Sequence, residues 1–463
     1  MHLPDASLFR AYDIRGVVGE NLSADDFTAI GHAFATHVSE QAQCRTPMIV
    51  LMYDGRVSSP TLAEAMIEGM LRAGAHVLDG GMGPTPMCYY AAHHLQADGA
   101  VMITGSHNPP NHNGAKFVCD GKPFFGTELA ALRSRIEAGK LLNSRGQREE
   151  VKMLDEYVDC LERSLKESDA LNKLAIAWDA GNGAAGIVVE ELLKDVQGKH
   201  TALFLESDGS FPNHHPDPAE PANMAALAEA VKANGCALGV AFDGDGDRMG
   251  AVDDLGRVIA PDHLLMLFAF DVLSRHAGAT IMADVKTSDM FFEMVKKHGG
   301  NPLMWKTGHA HIKMKMPEVG AQFAGEASGH LFFADEYCGF DDGLYAALRL
   351  ARIVADADQH LSAMIDALPK LHTSHELRIP CPDDTKFDII ATIATELSQE
   401  GSTVNMLDGV RVSTADGWWL LRASNTQPAL VARAEGHTEE GTRRLLATIQ
   451  YLLNAQGIKV QLA

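Results

Sequence analysis

Long apolar runs are missing from this 463-residue chain. The longest, Leu264 to Phe270, falls far short of the roughly 20 residues a bilayer span needs. The start, MHLPDASLFR, has no apolar stretch of the kind a secretory signal carries. Cysteine is sparse: seven are scattered at positions 44, 88, 119, 160, 236, 338 and 381, with no C-x-x-C pair. That pattern suits free thiols in a reducing compartment better than a disulfide framework, so a cytoplasmic location is expected. Basic residues are in deficit, 39 Lys and Arg against 61 Asp and Glu, a net charge of −22. Such a balance argues against nucleic acid as a partner, which calls for a positive surface. It leaves room for a small anionic substrate where basic side chains converge. No G-x-x-x-x-G-K-[ST] occurs, which excludes a P-loop nucleotidase. No short repeat or low-complexity tract is found either.

What is present is ordinary globular composition, 46% hydrophobic and 22% charged, at a length that calls for more than one core. Short apolar runs (Met48–Met52, Ala100–Ile103, Leu174–Trp178, Ala237–Phe242, Thr280–Ala283) alternate with segments of helical period (Thr61–Ala73, Asn223–Ala233, Met290–His298). Alternation of this kind predicts α/β domains with mixed, largely parallel sheets. After Asp366–Pro380 the pattern changes to strand, helix, strand, strand, helix, which predicts a C-terminal α+β domain. The expected divisions are 1–152, 153–256, 257–368 and 369–463.

Each apolar run ends in a polar, glycine-containing loop, and ligands of α/β sheets gather at the carboxyl ends of strands. Thr104 to Gly114, TGSHNPPNHNG, offers Ser106 among histidines and asparagines. Asp243 to Arg248, DGDGDR, sets three carboxylates at alternate positions, a donor set suited to a hard divalent cation such as Mg²⁺. An EF-hand is excluded, because its sixth and twelfth positions would be Arg248 and Asp254 and a strand-like segment precedes it. Gly181 to Gly186, GNGAAG, matches G-x-G-x-x-G, with Glu206 where a ribose-binding acid would stand, so an NAD(P)-dependent oxidoreductase is a rival reading. Gly325 to His330, GEASGH, would aim Glu326, Ser328 and His330 the same way if extended, a set suited to a polyol. Arg422 to Pro428, RASNTQP, is rich in donors and free of acid, as a phosphate cradle is. Arg10, Tyr12 and Arg15 in FRAYDIRG, with Lys116, Lys286 and Lys306, add cationic character.

The motifs FRAYDIRG, TGSHNPP, DGDGDR, KTGH, GEASGH and RASNTQP, in this order and spacing, resemble the α-D-phosphohexomutase superfamily, and within it the bacterial phosphomannomutase/phosphoglucomutase group. Nearly the whole chain is covered. The YDIRG and RASNT forms are similar to the hexose mutases; phosphoglucosamine mutases more usually show a GTDGIRG-like start. Tyr53 stands where the family often has arginine, and Gln427 where glutamate or threonine is common.

The resemblance implies four domains around a central cleft, the last one mobile, and a monomer. It implies that Ser106 is a phosphoserine whose phosphoryl passes to a hexose 1-phosphate, giving a hexose 1,6-bisphosphate that turns over and leaves as hexose 6-phosphate. Mg²⁺ would be held by Asp243, Asp245, Asp247 and the phosphorylated Ser106. Arg248, Lys116 and Arg15 would balance charge, His107 would shape the loop, and Lys116 or His330 would move the proton. Glu326 and Ser328 would hold the sugar's 3- and 4-hydroxyls, and Arg422, Ser424, Asn425 and Thr426 the phosphate that is not reacting. Tyr12, Lys286, His309 and His330 complete the substrate set. A phosphoglucosamine mutase, a metal-dependent phosphatase and a non-enzymatic sugar-phosphate binder are the other classes to be tested.

Overall fold

The computed structural model describes residues 2–165, 168–399, 404–425 and 427–462. Four sheets follow one another along the chain. The apolar runs become strands buried on both faces, as parallel strands covered by helices must be. In the first sheet Met48–Tyr53 lies between His76–Met82 and Gly99–Ile103, parallel to both. Gly99–Ile103 then turns back through an antiparallel partner, His112–Cys119, which pairs in turn with Ile14–Val17. In the second sheet Ile176–Asp179 lies parallel to His200–Leu203 and to Leu238–Phe242, and the last of these pairs antiparallel with Met249–Asp253. The third repeats the scheme: Thr280–Asp284 is parallel to Asn301–Trp305 and Ala321–Gly325, and Ala321–Gly325 pairs antiparallel with Leu331–Phe333. The fourth sheet is antiparallel throughout, in the order Leu377–Pro380, Ala429–Gly436, Gly417–Ala423, Val410–Thr414, Val404–Asn405. The chain is thus three related α/β domains and a C-terminal α+β domain.

This topology has a direct consequence for function. In each of the first three domains one parallel strand ends in a hairpin, and these three hairpin loops are 104–111, 243–248 and 326–330. They are the serine, acidic and GEASGH loops. The fourth loop, after Gly417–Ala423, also joins antiparallel neighbours.

Local details follow residue chemistry. The helix Ala24–Gln41 opens with a capping box between Ser23 and Asp26. The helix expected over Asn223–Ala233 is preceded by a 3-10 turn, Pro221–Met224, with proline at its first position, and runs as Ala225–Asn234. GEASGH is not extended: Gly325 closes a strand, and the main chain folds back with the Gly329 N–H donating to the Glu326 carbonyl at 3.0 Å. One apolar core runs through the first three domains, with Val50, Tyr157, Trp178, Phe268 and Tyr345 in it. The fourth domain has its own, around Trp419, Leu421 and Ile449.

Candidate active site

Ser106 lies in the loop that follows the strand Gly99–Ile103, with φ at +48°, the left-handed region that a residue with a side chain seldom occupies. The surroundings over-determine it. Asp54 Oδ2 accepts from Thr104 Oγ1 at 2.8 Å and from the Gly105 N–H at 3.1 Å. The Arg56 guanidinium, itself buried, donates to the carbonyls of Ser106, Asn108, Pro109 and His112. A side chain at position 105 would meet Arg56 Cζ at 2.5 Å, so that position demands glycine. Strain held this way is a feature of functional loops.

The acidic loop closes on the serine from the second domain. Gly244 packs so tightly on it that an added Cβ would stand 2.5 Å from the Ser106 carbonyl oxygen. Ser106 Oγ donates to Asp243 Oδ2 at 2.9 Å and lies 3.3 Å from His107 Nδ1. Asp243, Asp245 and Asp247 are completely buried, with one oxygen of each within 4.8 Å of the others. Asp245 Oδ1 and Asp247 Oδ1 have no hydrogen-bond donor. Buried carboxylate oxygens left in this state fit a hard divalent cation. The Lys116 ammonium donates to Asp245 Oδ2 at 2.7 Å and also to Asp247.

Titration reflects the crowding. Burial and the neighbouring Asp245 and Asp247 hold the Asp243 carboxyl well above the usual carboxylate range. Asp245 is held below it: burial acts upward, but the Lys116 charge and the hydrogen bonds from Lys116 and Thr85 outweigh it. Burial would lower Lys116, yet Asp245 and Asp247 raise it, so the ammonium stays charged. Burial, then the Arg248 and Arg15 charges, push His107 well below its ordinary value and keep it neutral.

The remaining loops complete one cleft. Tyr12, Arg15, His107, Arg248, Lys286, His309, Glu326, Ser328, His330, Arg422, Ser424 and Asn425 all line it, joined by Glu376 and Arg378. The chain's overall negative charge is therefore reversed locally. Tyr12 Oη donates to the Thr307 carbonyl at 3.0 Å and accepts from Asn425 Nδ2 at 2.6 Å, linking the first, third and fourth domains. Lys286 Nζ donates to Glu376 Oε2 at 3.0 Å, and Arg422 Nε to Asp408 Oδ2 at 3.1 Å. Glu326 Oε1 accepts the Gly308 N–H at 2.6 Å, and burial raises its carboxyl. Arg10 pairs with Asp383 at the rim. Thr426 lies outside the described residues.

Asp341 is a centre that no sequence motif announced. Its carboxylate is buried; Lys313 Nζ donates to it at 2.7 Å, and the Nδ1 atoms of His330 and His309 stand 3.1 and 3.3 Å away. Asp247, His330 and Asp341 also cluster tightly enough to suggest a second metal site. The hydrogen bonding rejects it. Arg248 Nε donates to His330 Nε2 at 3.0 Å, and arginine has only donors. His330 must then carry its proton on Nδ1, leaving no lone pair there for a metal. GNGAAG supports the acidic loop: the Ala184 N–H donates to the Gly244 carbonyl, and a Cβ on Gly183 would meet that oxygen at 2.8 Å. The glycines there serve close packing of two loops, and the helix that follows, Gly186–Leu192, is short. No helix among the described residues is long and apolar enough to cross a membrane.

Comparison with known proteins gives the same picture over the whole length. Family models described as phosphoglucomutase/phosphomannomutase α/β/α domains I, II and III match residues 6–142, 155–256 and 260–372, and the C-terminal domain of the same description matches 376–450. A phosphomannomutase/phosphoglucomutase of Pseudomonas aeruginosa is 43% identical over 451 residues, covering 97% of this chain and 96% of its own. A phosphoglucomutase of Neisseria gonorrhoeae is 42% identical, covering 95% of each. The crystal structure of a phosphoglucomutase/phosphomannomutase family protein from Burkholderia thailandensis superposes with a TM-score of 0.90 at 39% identity, over 99% of this chain and 100% of that one. The chain belongs to the phosphoglucomutase/phosphomannomutase family, within the α-D-phosphohexomutase superfamily.

Proposed function

We propose that the protein interconverts hexose 1-phosphate and hexose 6-phosphate, with glucose and mannose as the sugars, by way of a phosphorylated Ser106 and a hexose 1,6-bisphosphate. One observation carries the reading: a strained, buried serine hydroxyl bonds to Asp243, and His107 and Arg248 of the same two loops line a basic cleft together with Arg422, Ser424 and Asn425 of the RASNTQP loop. A metal-dependent phosphatase would need the metal loop but not this second anion subsite.

Phosphoryl transfer asks mainly for positioning and charge neutralisation. Asp243, Asp245 and Asp247 would hold Mg²⁺, which when bound draws charge from the phosphoserine ester. Arg15 and Arg248 line the cleft, and Lys116 stays cationic between two carboxylates that hold its proton, so it serves as a charge partner and not as the group that moves a proton. In the first half-reaction the bond from phosphorus to Ser106 Oγ breaks while one to the sugar's O6 forms, and the O6 proton passes by way of water to Ser106 Oγ, because Nε2 of His330 is taken by Arg248 and its Nδ1 already holds a proton. In the second, Ser106 Oγ regains a phosphoryl from O1, and the neutral His107 imidazole is within reach of its proton. Glu326 and Ser328 would hold the 3- and 4-hydroxyls, a readout blind to C2. Arg422, Ser424, Asn425, Thr426, Lys286 and Tyr12 would hold the distal phosphate, with His309 beside them. The cleft encloses about 110 Å³, below the roughly 300 Å³ usual for ligand sites, which supports the reading that the C-terminal domain moves to admit the sugar phosphate.

The test is phosphorus NMR with Mg²⁺, glucose 1-phosphate and a trace of glucose 1,6-bisphosphate. A growing 6-phosphate signal supports the mutase, and mannose 1-phosphate then measures its breadth. Inorganic phosphate would identify a phosphatase instead. Glucosamine 1-phosphate turned over in preference to both hexoses would move the protein to the amino-sugar branch.

A further inference from the structure

Lys286 stands on the loop between the strand Thr280–Asp284 and the helix Asp289–Lys297, in the third domain. All three carbonyls of its turn are taken by buried arginines of the fourth domain. Arg411 donates to the carbonyls of Val285 and Thr287, the latter at 3.0 Å, and to Asp289 Oδ1 at 2.6 Å. Arg433 donates to the Lys286 carbonyl at 2.6 Å and to Asp262 Oδ2 at 2.5 Å. The other Asp262 oxygen accepts the Ser288 N–H at 2.8 Å, so the far side of the turn hangs on the same pair.

The sheet register explains why one domain can do this. Arg411, Leu420 and Arg433 are direct cross-strand neighbours, and Trp418 lies two residues before Leu420 on its strand, so alternation puts all four on one face. Trp418 and Leu420 pack on Val285, and the Arg411 guanidinium lies 3.6 Å from the Trp418 ring centre. Arg422 is two residues beyond Leu420, on the same face, and reaches the cleft. The strand that carries the phosphate-cradle arginine is therefore the strand that docks on the Lys286 turn.

We propose that Arg433, with Arg411, is a positioning residue of the distal-phosphate subsite: it fixes the backbone of 285–287 only when the fourth domain is docked, and so sets Lys286 opposite Arg422. Neither Arg411 nor Arg433 is among the residues lining the cleft. The proposal rests on the mutase reading for the identity of the ligand, a sugar phosphate. It separates two parts of the subsite: Arg422 travels with the fourth domain, whereas Lys286 belongs to the third and becomes competent on docking. A charged arginine split between a carbonyl and a carboxylate cannot be replaced by lysine, whose ammonium lacks the planar fork.

The experiment is a double-mutant cycle in the holoenzyme, reading KM and kcat for glucose 1-phosphate, with circular dichroism confirming the fold. Arg433→Lys should raise KM about tenfold with kcat changed less than about threefold, because binding shared by ground and transition states is what is lost. Lys286→Met should raise KM by at least as much. In the Lys286→Met background, Arg433→Lys should add less than about twofold, since residues acting through one another are not additive. Full, multiplicative effects in both backgrounds would overturn the proposal and leave Arg433 a stabiliser of the interface. An unchanged KM in Lys286→Met would overturn it together with the assignment of Lys286, while turnover itself would still uphold the mutase. If Arg433→Lys does not fold, Arg411→Lys closes the same cycle with the same criteria.

Discussion

Replacing Lys116 by methionine tests the electrostatics of the acidic loop. The ammonium lies 2.7 Å from Asp245 Oδ2 and contacts Asp247 as well, with its side chain 5% exposed and both carboxylates fully buried. Methionine has similar length and no charge, so packing is preserved while the two buried carboxylates that Lys116 bridges, Asp245 and Asp247, lose their balancing cation. Removing one partner of a buried ion pair costs about 3–5 kcal/mol, because the other charge stays buried and unpaired. At about 2–4 °C per kcal/mol for domains of this size, the apo protein's unfolding midpoint should fall by roughly 6–20 °C. A divalent cation can take the vacated role. Mg²⁺ at a hundredfold excess over its dissociation constant returns about 2.7 kcal/mol. Thermal unfolding of wild type and Lys116→Met, with chelator and with Mg²⁺, reads all four values. Mg²⁺ should raise the variant's midpoint more than the wild type's, and turnover should fall in both conditions. A variant as stable as wild type in chelator, or an equal Mg²⁺ shift in the two proteins, would refute the view that Lys116 and the metal share one set of carboxylates.

Mg²⁺ binding to the dephosphorylated protein should release up to about one proton, and affinity should rise with pH, because Asp243 is held protonated by burial and by Asp245 and Asp247; calorimetry in two buffers of different ionisation enthalpy checks it, and no proton release would contradict it. Glu376, drawn down to about 2 chiefly by the Lys286 charge, has a folded value below its ordinary 4.5. Its stabilisation is then fully present above about pH 4.5 and lost as pH falls toward 2, so Glu376→Gln should flatten the acid limb of a denaturation series. Tyr12→Phe removes the hydroxyl that joins Thr307 to Asn425. It should raise KM about fivefold, from roughly 1 kcal/mol of hydrogen bonding, and steady-state kinetics read it directly.

The sequence carried the frame of the site because each loop borders an apolar strand and has its chemistry within a few residues. DGDGDR offers its three candidate metal ligands, and TGSHNPP its candidate serine, without reference to any other segment. The supports were not readable in the same way, since their partners are remote. Arg56 follows a strand in the ordinary-looking MYDGR, and its value lies in carbonyls about 50 residues on. Asp341 gains meaning from Lys313, His309 and His330, which belong to other segments. Arg433 and Asp262 are 171 positions apart. GEASGH shows the opposite limit: its composition suited a polyol site, but the extended form expected for it is a turn, because Gly329 adopts φ of +94° and reverses the chain. The same three side chains reach the cleft by a different path.

The central claim is that Ser106 carries the phosphoryl group between the two positions of the sugar. The most direct measurement is peptide-resolved mass spectrometry of the protein after incubation with glucose 1,6-bisphosphate and Mg²⁺, and again after a chase with glucose 1-phosphate. The account predicts a single phosphoryl on Ser106 that disappears in the chase as the bisphosphate reappears, and no turnover in a folded Ser106→Ala variant. Phosphoryl on another residue, or full activity in Ser106→Ala, would contradict it.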